Sequence, residues 1–288
     1  MRAAKIFLLL ITVALLTGCG HPELAPVLGV DDVQIKRDVP YYTGPDADPV
    51  RNLLDIYLPR EGSNWPTILI AHGGAFVVND KSVVGNMGVA FANEGFAVAC
   101  INYRLYPDGH HPDQVTDLSR AVAWALREMP RYGARVEDFT LIGYSAGATL
   151  SALAALDGRY LEAQGVSPEA LSRVAVISGV YRIADLPLPF RLAFTYRASV
   201  HREASPVEHV HADAPPFLIL FAEYDVDIDN YFRMKPQAKL LYEKLKQAGV
   251  PVSLYEIPGC NHDQIEEQVG RDPDSETFRR LLNFIRQN

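Results

Sequence analysis

Cysteine is scarce and basic charge is in deficit. Three cysteines in 288 residues do not make a disulfide framework of the kind that staples small secreted domains. Lys and Arg total 27 against 35 Asp and Glu, a formal charge of −8, so no basic excess exists to neutralise phosphates, which argues against a nucleic-acid partner. The 20 glycines and 20 prolines follow no period, which excludes collagen-like, low-complexity and short-repeat architectures. No metal-ligand spacing of histidines lies on a common element. What is present is ordinary globular composition, 48% hydrophobic and 22% charged, enough to bury a sizeable core.

The amino terminus reads as a leader. Arg2 and Lys5 precede an apolar run from Ile6 to Leu16, about 11 residues, short of the roughly 20 that span a bilayer but right for a signal-peptide core. The run closes on Leu16-Thr17-Gly18-Cys19, which resembles the lipobox of bacterial lipoproteins. That resemblance implies a signal peptide over 1–18, lipidation of Cys19 and export to a lipid-anchored position. With Gly20 rather than Asp after the Cys, the same resemblance implies the bacterial outer membrane as the destination. Residues 19–32, with Pro22, Pro26 and Gly29, then form a tether. The lipid bilayer is therefore one expected partner.

From Val33 onward, short apolar runs alternate with amphipathic helical patterns, which predicts an α/β domain over 33–288 with a mostly parallel sheet and helices on both faces. Strands are expected at Gln34–Lys36, Leu53–Leu58, Thr67–Ala71, Ala97–Asn102, Phe139–Ile142, Arg173–Ile177, Phe217–Phe221 and Val252–Ile257. Helices are expected at Ser82–Glu94, Asp113–Glu128, Ala146–Leu156, from Pro236 to just before Gly249, and at Glu276–Arg286. One substantial insertion, 181–216, carries an apolar cluster including Leu186, Leu188, Phe190, Phe194 and Tyr196, and reads as a small lid. Cys100 reads as a small core residue, while Cys260 has no evident role. His110-His111 and His209-x-His211 read as surface loop residues.

Gly143-Tyr144-Ser145-Ala146-Gly147 falls between a predicted strand and a predicted helix, the context in which G-x-S-x-G exposes a serine hydroxyl on a sharp turn. A hydroxyl nucleophile needs a base, and donors for the oxyanion that forms on attack at a carbonyl. His72-Gly73-Gly74-Ala75-Phe76 follows a buried strand and is small enough to present backbone N–H groups. Two late strands lead into Glu223-Tyr224-Asp225 and into Pro258-Gly259-Cys260-Asn261-His262. Asp225-Val-Asp227-Ile-Asp229 fails as a calcium loop, because Asn230 replaces the turn glycine and Pro236 the bidentate glutamate.

Together with Leu54-Asp55-Ile56-Tyr57-Leu58-Pro59, Asn102-Tyr103-Arg104-Leu105 and Ser205-Pro206, these motifs resemble the carboxylesterase branch of the α/β-hydrolase superfamily, in particular kynurenine formamidase-like and bacterial feruloyl esterase-like proteins. The resemblance implies an α/β-hydrolase fold with a central sheet of about eight strands. It also implies a serine hydrolase acting on short-chain or aryl carboxylic esters, or on a formamide-type amide, through an acyl-enzyme and without a cofactor. It places the nucleophile at Ser145, the histidine at His262 and the acid at Asp225, with Asp227, Asp229 and Glu223 as rivals. Oxyanion donors fall at Gly74, Ala75 and Ala146, and Phe76 and Tyr144 wall the substrate pocket. Ala75 stands where the commoner loop has a third glycine. Arg104 is expected to brace the oxyanion loop and Asp55 to be structural. The rival from another class is a catalytically silent α/β-hydrolase fold that binds a ligand or protein partner. Oligomeric state is not legible in the sequence.

Overall fold

Strand β3 (Trp65–Ala71) shows why the apolar runs assemble as they do. Its successive side chains alternate between two buried layers, Leu69 and Ala71 joining one core and Ile68 and Ile70 the other, as the two-residue period of a strand requires. A strand buried on both faces reads as a continuous apolar run, as do β4 (Ala97–Ile101), β6 (Arg173–Ile177) from Val174 onward and β7 (Phe217–Ala222). A computed structural model describes residues 29–188, 190–224 and 234–287. Eight strands, β1 (Val33–Pro40), β2 (Leu53–Pro59), β3 (Trp65–Ala71), β4 (Ala97–Ile101), β5 (Ala134–Tyr144), β6 (Arg173–Ile177), β7 (Phe217–Ala222) and β8 (Val252–Ile257), form one sheet in the order β1-β2-β4-β3-β5-β6-β7-β8. The pairs β1/β2 and β2/β4 are antiparallel and the remaining five are parallel.

Helices cover both faces. On one side lie α1 (Gly85–Asn93) and α8 (Glu276–Ile285), which contribute Met87, Phe91, Phe278 and Leu281. On the other lie α2 (Asp113–Glu128), α3 (Ala146–Leu156) and α6 (Met234–Gln247), with Val115, Leu118, Leu150, Leu153, Leu241 and Leu245 turned inward. Three short helices complete the set among the described residues: α4 (Arg159–Glu162), α5 (Ala198–Glu203) and α7 (Gln264–Glu267). Every residue of α3 is buried, which accounts for its small and largely apolar sequence.

Some boundaries differ from the sequence reading. The expected helix at Ser82–Glu94 is a 3-10 turn over Lys81–Val84 followed by α1. Tertiary bonds tighten that first turn: the Lys81 ammonium meets Asp38 at 2.7 Å and Asp55 at 3.2 Å, and its backbone N–H donates to Asn102 at 2.6 Å. Asp55 is thus a buried structural anion, also paired with Arg37. Strand β5 begins five residues before Phe139 because its polar first half still pairs with β3 through Trp65 and Pro66. His111 is not a surface residue. It is buried, packed near Phe194 at 5.9 Å, and its Nε2 bonds the Tyr160 hydroxyl at 3.2 Å.

Burial holds two histidines well below their ordinary value, His72 and His111 each to about 4. The unfolded chain therefore takes up these protons first, and stability contributed by the neutral rings is lost as pH falls through 6.5 toward 4. Each ring contributes a slope of up to about 1.4 kcal/mol per pH unit in that window. The urea midpoint is expected to fall clearly between pH 7 and pH 4.5, and an unchanged midpoint would contradict the neutral-histidine assignment.

Candidate active site

Ser145 sits at the junction of β5 and α3 with φ 52° and ψ −115°, a conformation a non-glycine residue adopts only when its surroundings hold it there. The two motif glycines make the turn possible. A Cβ on Gly147 would collide with the Ala71 carbonyl, and one on Gly143 with the Gly147 carbonyl, so the helix start can close onto β3 only without side chains at both positions. The Ser145 N–H donates to the Ile177 carbonyl at 2.8 Å, which locks the turn to β6.

His262 lies on the loop after β8, 7% exposed, and its Nε2 stands 3.0 Å from Ser145 Oγ. Residues 117 positions apart in the chain thus meet at hydrogen-bonding distance. The loop is pinned from several sides. The Tyr144 hydroxyl donates to the His262 carbonyl at 2.9 Å, and its ring tilts against the imidazole at 5.3 Å. The Gly259 N–H donates to the Glu223 carboxylate at 2.9 Å, and the Tyr224 N–H to the Cys260 carbonyl at 2.9 Å. Cys260, for which the sequence offered no role, is fully buried with its thiol against the Ile257 carbonyl at 3.4 Å. Glu223, one rival for the acid, is exposed and occupied in holding this loop. Asp225, Asp227 and Asp229 lie outside the described residues, as do Pro189, Cys19 and the leader.

The loop after β3 bends through Gly74, Ala75 and Phe76, with φ of 123°, 51° and 68°. At Gly74 a side chain would strike the Val78 carbonyl. Tyr103 braces this loop, its hydroxyl donating to the His72 carbonyl at 2.8 Å and its ring stacked on His72 at 4.4 Å. The Tyr106 N–H adds a bond to the Phe76 carbonyl at 2.9 Å. Arg104, expected to do this bracing, instead forks onto Asp117 of α2 at 2.8 Å from two of its nitrogens and meets Asp113 at 3.2 Å. A planar guanidinium matches a carboxylate better than a loop carbonyl, and the bracing falls to its neighbour.

Gly74, Ala75 and Ala146 line the same cavity as Ser145 and His262, a space of about 340 Å³. Phe76 and Tyr144 line it too, with Phe76 held edge-on to Phe194 at 4.8 Å. The insertion contributes Leu186 and Phe190, both nearly buried, whereas its Leu188 and Tyr196 are 57% and 71% exposed. Val180 and Met234 complete an apolar wall. A second wall, formed by Asp263, Glu266 and Glu267, was not anticipated. Acidic residues after the last strand ordinarily face water, and nothing in their spacing marks α7 as folding back over the site.

The architecture is the α/β-hydrolase fold, and the comparisons agree. A structure of esterase B from Lactobacillus rhamnosis superposes with a TM-score of 0.79 at 21% identity, covering 99% of this chain and 96% of that one. A truncated carbohydrate esterase from gut microbiota superposes at 0.75 with 21% identity, covering 91% and 98%. The BD-FAE family matches residues 54–189. By sequence, the chain is similar to esterase LipQ of Mycobacterium tuberculosis, 30% identical over 245 residues, which are 78% of this chain and 56% of that protein. It is also similar to isoprenylcysteine alpha-carbonyl methylesterase ICME of Arabidopsis thaliana, 30% identical over 277 residues, 88% of this chain and 62% of the relative. The chain thus spans a little over half of the length of these curated relatives.

Proposed function

We propose that this protein is a serine hydrolase cleaving carboxylic esters, and the observation that carries the reading is the 3.0 Å pair of Ser145 and His262 at a strained strand-to-helix turn lining a cavity. His262 Nε2 takes the hydroxyl proton as Ser145 Oγ attacks the ester carbonyl. The N–H groups of Gly74, Ala75 and Ala146 receive the oxyanion. Collapse of that intermediate expels the alcohol, which takes its proton from His262 and leaves an acyl-serine. A water molecule deprotonated by His262 then releases the acid and restores the serine. Asp225 serves as the carboxylate that holds the imidazole tautomer, a role supported by the hydrogen bond that draws Tyr224 to Cys260, two residues from His262. Similarity to LipQ and ICME supports ester rather than purely binding chemistry. A fluorophosphonate probe should label the wild-type chain and leave Ser145→Ala unlabelled, whereas no labelling of the wild type would favour a silent binding protein.

The favoured esters are short. A cavity of about 340 Å³ is at the small end for ligand pockets, and Phe76, Leu186 and Phe190 close its apolar wall. Butyryl aryl esters are expected to exceed palmitoyl esters in kcat/KM by at least about a hundredfold, since a chain that cannot be buried forfeits its transfer energy and strains the site. A maximum at long acyl chains would make the protein a lipase.

The lipid anchor rests on the sequence alone. Metabolic labelling with a fatty-acid probe should mark the wild type, and equal labelling of Cys19→Ser would refute attachment at that cysteine.

A further inference from the structure

We infer that Glu266 is a specificity-determining residue of this pocket, receiving a hydrogen-bond-donating group, hydroxyl or protonated amine, carried by the alcohol part of the ester. The inference rests on the ester-hydrolase reading above and adds the chemistry of the leaving group to it.

Glu266 lies on α7, four residues past His262, and lines the cavity that holds Ser145 although it is only 3% exposed. Its Oε1 has no hydrogen-bond partner among the described residues. A buried carboxyl oxygen left in that condition is costly, and the cost is recovered when a ligand supplies a donor. The terminal torsion of a glutamate is soft, so either oxygen can turn toward a ligand without moving the chain. The backbone behind it is fixed, because the Asn86 amide donates to the Val269 carbonyl at 2.7 Å and a Cβ on Gly270 would press against the Asn86 carbonyl at 2.5 Å.

The surroundings define what the group can hold. Burial, with Glu267 and Asp263 nearby, outweighs an Asn86 hydrogen bond and Arg271 and pushes the carboxyl up to about 8. At neutral pH it is therefore largely protonated, able to accept a hydrogen bond from a hydroxyl and ready to ionise beside an ammonium. Among the described residues lining the cavity the carboxylates are Asp263, Glu266 and Glu267, and none is Lys or Arg, an arrangement that favours a donor over a substrate carboxylate on that wall. The side of the ester follows from the chemistry: His262 must deliver its proton to the departing alcohol, which places that alcohol against His262 and toward the turn carrying Glu266.

Matched butyrate esters test this. Hydroxypropyl and dimethylaminopropyl butyrate are compared with carbon isosteres of equal size, in the wild type, Glu266→Gln and Glu266→Leu, with melting curves to confirm that each variant is folded. In the wild type kcat/KM should favour at least one donor-bearing ester over its isostere by about tenfold, the value of one well-made hydrogen bond. Glu266→Leu should abolish that preference. Glu266→Gln should keep a hydroxyl preference but lose an ammonium one, which separates the two donors. No preference in the wild type, or the same preference in all three proteins, overturns the inference. Failure of the wild type to hydrolyse p-nitrophenyl butyrate would instead overturn the ester-hydrolase reading beneath it.

Discussion

Ser145→Ala and His262→Ala are each expected to lower kcat by at least about a thousandfold on any accepted ester, because nucleophile and base act as one unit. The structural reason is the 3.0 Å contact between Oγ and Nε2, which either substitution removes. The double variant should be scarcely worse than the worse single one. Residual activity in all three would come from binding and the backbone donors near Gly74, Ala75 and Ala146. Effects that multiply would show that the two residues contribute separately and would end the shared-proton account. Steady-state rates with p-nitrophenyl butyrate, corrected by titration of folded protein, measure this directly.

Asp225→Asn carries the next largest expected effect, a loss of about a thousandfold or more in kcat, while Asp227→Asn and Asp229→Asn should each stay within about tenfold. Only a carboxylate paired with the imidazole can stabilise the cation that forms when His262 takes the serine proton. The bonds Gly259 N–H to Glu223 and Tyr224 N–H to Cys260 tie the chain entering Asp225 to the loop bearing His262. Glu223 is thereby committed to a backbone donor. If Asp227→Asn is the crippling change and Asp225→Asn is mild, the acid is Asp227, two residues further along the chain.

Much of this was legible because the informative residues obey local rules. The parallel core strands are continuous apolar runs bounded by turn residues, and the elbow glycines are required by the close approach of α3 to β3. Positions set by long-range contacts were not legible. Lys81 is drawn inward by Asp38 and Asp55, from strands far away in the chain, and no helical pattern near residue 82 encodes that. Tyr103, not Arg104, braces the loop after β3, because the two differ in which partner the folded chain brings near. His111 reads as a polar loop residue until Phe194 and Tyr160 of distant segments enclose it. Glu266 was missed for the same reason: the fold, rather than its neighbours in sequence, turns it toward the cavity.

In the proposed reaction the ester's acyl group passes through Ser145. Rapid quenching after mixing with p-nitrophenyl butyrate, followed by intact-mass and peptide analysis, reads that species directly. One butyryl group per chain is expected, on the peptide containing Ser145, formed with a burst of nitrophenol and absent from Ser145→Ala. Turnover of the ester by the wild type with no adduct on Ser145, or an adduct on another residue that persists in Ser145→Ala, would contradict it.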